Sequence, residues 1–180
     1  MSRIQRSIQR KIARLALPFL ICSCSLAERK REPLNPPEIN QLQDAAMDPE
    51  QRLKLFVQFE RTRLTSIEQI RTDPKVKDRA QQIHDLFQDF LDIYDELNDN
   101  IDNFVQRRED MRRPLREVIA ADAEFQSRLR ALKASSVAAK EDDKLPEFLL
   151  TTAISTVDAS TQDHHQLLRE QEEANKHKKH

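Results

Sequence analysis

Residues 76–132 read VKDRAQQIHDLFQDFLDIYDELNDNIDNFVQRREDMRRPLREVIAADAEFQSRLRAL. Val76, Ala80, Ile83, Phe87, Phe90, Tyr94, Leu97, Ile101 and Phe104 follow one another at alternating spacings of 4 and 3. Met111, Leu115, Val118, Phe125, Leu129 and Leu132 continue in the same phase, and only Arg108 and Asp122 break it. That spacing places one apolar side chain per turn on a single helical face, the seam of a bundle or coiled coil. Leu86, Leu91 and Ile93 widen the face, so this stretch expects more than one helical neighbour.

Pro114 interrupts the seam. A proline inside a helix removes one hydrogen bond and crowds the carbonyl four residues back. Two architectures follow. Either a helix ends near residue 108 and RREDMRR turns into the next, or one long helix kinks near 110–114. Burying so wide an apolar face favours the turn. The expected fold is an all-α, antiparallel four-helix bundle, and the alternative is one long Pro114-kinked helix flanked by two shorter ones.

The flanks supply the other helices. Asp48-Pro49-Glu50-Gln51 offers an N-cap, a first-turn proline and a capping-box glutamine, so a helix is expected over 49–72. Its apolar side carries Leu53, Phe56, Val57, Leu64, Ile67 and Ile70. Asp73-Pro74 repeats the start signal and is expected to open the next helix. Pro37 is expected to begin a short helix over 38–47. Pro146 is expected to start a last helix, 147–174, whose first half, FLLTTAISTVDASTQ, is nearly uncharged and expected to be buried. Its Ser and Thr hydroxyls can bond back to the helix backbone. A basic, His-containing tail, 175–180, follows.

Composition narrows the function. The 180 residues contain no glycine, 34% charged residues and no tryptophan. Without glycine, phosphate-cradling loops, the dinucleotide fingerprint and the G-x-S-x-G elbow are all excluded. Residues 1–27 hold five basic residues and no acid, and the remainder holds 25 basic and 31 acidic residues, a net of −6. That excess disfavours nucleic acid as a partner of the helical domain.

RIQRSIQRKIAR (3–14) followed by LALPFLICSCSLA (15–27) reads as the basic and apolar regions of a secretory signal peptide, with cleavage after Ala27. The apolar run of 13 is too short to span a bilayer, which takes about 20 residues. Both cysteines, Cys22 and Cys24, fall inside it. They are discarded with the signal on this reading. Ile21-Cys22-Ser23-Cys24 also resembles the lipobox of bacterial lipoproteins, which would make Cys24 an acylated first residue and the only route to a membrane anchor besides the signal itself. A redox or metal role for the pair is the third reading. Residues 28–37, ERKREPLNPP, read as an extended linker, and 38–174 as the helical domain.

Among candidate site residues, His164 projects with Leu150, Val157 and Leu168 toward the core, and a metal shared with His84 is conceivable chemistry. Hydrogen bonding within the core is the simpler role. Asp85, Asp89, Asp92, Asp95, Glu96, Asp99 and Asp102 read as a solvated acidic face. Arg108 and Asp122 could pair across the bundle. No catalytic residue or cofactor is expected. Leu64-Thr65-Ser66-Ile67-Glu68 resembles the L-T-x-x-Q motif of exported Spy-like chaperones but has Glu at its last place, so membership does not follow. The expected function is a non-enzymatic interaction or structural protein of the bacterial cell envelope, periplasmic or secreted. It would have a protein partner, with homodimerisation possible. The alternative is a periplasmic stress chaperone-like or metal-handling helical protein.

Overall fold

A computed structural model describes residues 32–137 and 145–177. The expected leader, with Cys22 and Cys24, lies outside the described residues. Five helices follow in order: α1 Pro36–Asp44, α2 Pro49–Thr72, α3 Arg79–Gln106, α4 Arg112–Val137 and α5 Glu147–His177. The described residues are all-helical, and α2 to α5 form the bundle.

Local chemistry sets the ends. Asp48 accepts a hydrogen bond from the Gln51 N–H at 3.0 Å with Pro49 in the first turn, as its sequence requires. Helix α1 starts at Pro36 rather than after Pro37. The Asn35 side chain accepts from the Glu38 N–H while Glu38 accepts from the Asn35 N–H, a reciprocal capping box that claims part of the expected linker. Asp73-Pro74, by contrast, opens nothing. Asp73 accepts from the Lys75 N–H in a tight turn, and α3 begins only at Arg79, after Asp78 in the left-handed region (φ 50°). Val76 and Ala80 therefore fall outside the core, and the buried seam starts at Ile83.

Helix α3 stops at Gln106, so the turn is found and the long kinked helix is not. Arg108 adopts φ 62°, its N–H bonds to the Val105 carbonyl and the Glu109 N–H to the Phe104 carbonyl, the pair of bonds that defines a Schellman cap. Pro114 then sits in the first turn of α4, where a proline costs no hydrogen bond.

Cross-helix contacts fix the topology. Arg52 reaches Asn100 and Arg63 approaches Asp89, so α2 and α3 run antiparallel. Arg130 reaches Asp158 and Arg116 reaches Glu172, so α4 and α5 do the same. Arg61 pairs with Glu124 and Arg128 with Glu68, so α2 and α4 are parallel neighbours. Asn98 bonds Ser160, placing α3 beside α5. Helices α3 and α4 thus face each other across the diagonal, meeting only through core side chains such as the edge-on pair Phe90–Phe125, centroids 5.7 Å apart. Every seam residue from Ile83 to Leu132 that the spacing nominates as apolar is buried.

Candidate functional site

The seams of the four long helices each admit one polar side chain at the same level of the bundle. In α2 the core positions run Leu53, Val57, Glu60, Leu64 and Ile67, and Glu60 is fully buried. In α3 the level is occupied by Tyr94, in α4 by Asp122 and in α5 by His164, all buried.

Asp122 is the hub. Its Oδ1 accepts from the Tyr94 hydroxyl at 2.7 Å, and its Oδ2 lies 2.8 Å from His164 Nδ1. The other ring nitrogen of His164 faces Asn98 Oδ1 at 3.0 Å, and the Asn98 amide donates to Ser160 Oγ at 3.1 Å. Both ring nitrogens thus point at side-chain oxygens, which fixes the ring between α3 and α4. Burial, then the charge and hydrogen bond of Asp122, push the Tyr94 phenol far above its ordinary range, so it remains a neutral donor.

Glu60 stands apart from this network. Neither carboxyl oxygen has a hydrogen-bond partner among the described residues. Burial, with the Asp122 charge adding to it, pushes the carboxyl well above its ordinary value, and the charge of Arg61 offsets this only in part.

One edge of the layer reaches the surface. A cleft of about 260 Å³ between α3 and α5 is lined by Asn98, Ser160, Asp163 and His164, with Ile101 and Leu167 beside them. Glu60, Tyr94 and Asp122 do not line it.

The residues singled out by sequence are dispersed. His84 is exposed on α3 beside Asp85 Oδ1 at 3.6 Å. Asn98, which touches His164, lies fourteen residues farther along the same helix, so the two histidines are separated by about 20 Å at 1.5 Å per residue. Among the described residues no three His, Cys, Asp or Glu side chains are grouped so as to hold a metal ion. Arg108 is exposed in its turn and does not meet Asp122. Asp89 is not on the solvated face. It is buried with its Oδ2 3.8 Å from Arg63 Nε, because Arg63 also binds Glu38 of α1 and draws acids inward. The remaining acids of α3 are half-buried or exposed. The uncharged first half of α5 divides: Leu149, Leu150, Ala153 and Val157 are buried, while Phe148, Thr151, Ser155 and Ala159 face outward. Thr161 and Ser155 hydroxyls do bond back to the Val157 and Thr152 carbonyls.

Glu60 escaped the sequence reading, although its signal was present. Leu53, Val57, Leu64 and Ile67 keep heptad spacing with one vacancy, and Glu60 fills it.

No described helix is long and apolar enough to cross a membrane. No protein-family model matches the chain, and no curated protein and no solved structure does either.

Proposed function

We propose that this chain is an exported helical-bundle protein of the bacterial cell envelope, periplasmic or secreted, that works by binding or scaffolding rather than by catalysis. One observation carries the reading. A basic stretch and an apolar stretch, residues 3–27, stand directly before a compact unit, Glu32–His180, that has its own core. A leader followed by an independent domain has this organisation.

The surface supports a binding role. Val137 and Phe148, 78% and 80% exposed, lie at the facing ends of α4 and α5. Beside them a cleft of about 410 Å³ is lined in part by Val137, Leu145 and Leu150. Apolar surface that remains after the bundle has closed is what contact with another protein uses. The metal-handling alternative drew on His84 and His164, whose separation gives it no support.

The test is the intact mass and cell fraction of the chain expressed in a bacterium with its own N-terminus. The expected product is soluble and begins at Glu28. A membrane-bound product beginning at acylated Cys24 would place the protein at the membrane surface as a lipoprotein. An uncleaved soluble chain would overturn export.

A further inference from the structure

Among the described residues, neither carboxyl oxygen of Glu60 has a hydrogen-bond partner, and the residue is fully buried. An ionised carboxylate in that position has no protein donor to replace its hydration. A protonated carboxyl loses far less on burial, because it carries no net charge.

The groups around it do not favour a charge. Tyr94 approaches from α3, Asp122 from α4 and, through Asp122, His164 from α5. Asp122 repels an ionised Glu60. Among the described residues, the cation that favours ionisation is Arg61 of the same helix, and it turns outward to pair with Glu124 at 2.8 Å, its side chain 45% exposed. The groups that α3 and α4 bring near this α2 carboxyl, Tyr94 and Asp122, supply no positive charge.

We propose that Glu60 is a proton-held latch: the bundle closes around the neutral acid, and loss of its proton loosens the central layer. The ligand of the site is the proton itself. Where the carboxylate forms, relief comes from water entering between α2 and α4 or from the two helices parting at that level. The central layer is then tightest in acid and loosest in alkali, the reverse of a contact held by a buried ion pair. The sign follows from proton binding. A carboxyl whose folded-state value is raised keeps a proton that the unfolded chain has already released. Its stabilisation is complete below the ordinary value of 4.5 and is lost as pH rises toward the folded-state value.

Thermal unfolding of the full-length protein and of its Glu60→Gln variant, from about pH 5 to about pH 9, tests this. Glutamine keeps the shape and cannot ionise. Over the range in which only the folded state holds the proton, the wild-type Tm should fall relative to the variant by about 3–5 °C for each pH unit. Infrared spectra give a second readout. At neutral pH the wild type should show a protonated-carboxyl C=O band that the variant lacks. If Glu60→Gln does not fold, Glu60→Met replaces it in the melts, and the wild-type band with its loss in alkali decides alone. Parallel pH profiles for wild type and variant overturn the proposal, as does absence of the band at neutral pH. So does a wild-type Tm that falls on chelator treatment while the variant's does not, since the layer would then hold a cation.

Discussion

Arg108 occupies the left-handed region because α3 must end within one turn and the chain has no glycine with which to end it. A residue with a Cβ carries a penalty of about 1 kcal/mol or more in that conformation. The arginine side chain is exposed, and its ends are not needed to hold the turn, which rests on two backbone hydrogen bonds. Arg108→Gly should therefore stabilise the protein by about 1 kcal/mol, raising Tm by about 2–4 °C. Melting curves of the two proteins check it, and a lowered Tm would mean that the guanidinium holds the turn after all. The sequence marked Arg108 and Asp122 alike as breaks in one seam, yet their roles differ completely. One is a helix stop in water, the other the hub of a buried network. Spacing identifies an interruption. It does not say whether the helix continues through it, because that depends on whether neighbouring helices supply partners such as Tyr94 and His164.

Two elements with nearly the same start sequence behave oppositely, and electrostatics explains the difference. After Asp48-Pro49 comes Glu50, an acid in the first turn, where the helix dipole favours negative charge. After Asp73-Pro74 come Lys75 and Lys77, which the same dipole repels, and the chain runs through four more residues, 75–78, before α3 forms. A start signal read without its first turn is incomplete. Helix α1 is held to the bundle by a different device. Arg63 of α2 donates to both carboxylate oxygens of Glu38, at 2.7 and 2.6 Å, and to the Pro33 carbonyl at 2.7 Å. Burial raises the Glu38 carboxyl, but the hydrogen bonds from Arg63 and the Asn35 N–H, with the Arg63 charge, outweigh it and hold the carboxyl below its ordinary value. The stabilisation is thus present above the ordinary value of 4.5 and is lost as pH falls through the lower folded-state value. Acid should release α1 first. Arg63→Met should release it at neutral pH, because Glu38 is then left buried without the cation that binds both its oxygens. Amide hydrogen exchange reads the result. Protection should vanish across Pro36–Asp44 while the central turns of α3 and α4 keep theirs. Uniform loss across all helices would show instead that Arg63 supports the whole core.

At the scale of the molecule, the heptad seams announce four helices with inward faces but not which helix stands beside which. Arginines on α4 contribute to that choice, with Arg113 and Arg128 reaching Glu50 and Glu68 of α2, and Arg116 and Arg130 reaching Glu172 and Asp158 of α5. Each exposed pair is worth about 0.2–1 kcal/mol, too little to drive folding and enough, summed along two interfaces, to bias one arrangement over its mirror. Such pairings are invisible before the helices are placed, since any exposed arginine on α4 has many acids to choose from. The core runs from Leu42 to Val157, and the compact unit begins at Glu32. A chain shortened to Glu32–His180 should therefore unfold cooperatively at the Tm of the full-length protein, within the precision of the melt. Its circular dichroism should keep the helical signal of α1 to α5. This outcome is required of a domain that is separated from its leader during export. A shortened chain that loses several degrees or its cooperativity would show that residues 1–31 pack into the fold. The basic and apolar segments would then be structural parts of the folded protein, and the proposal of export would lose its support.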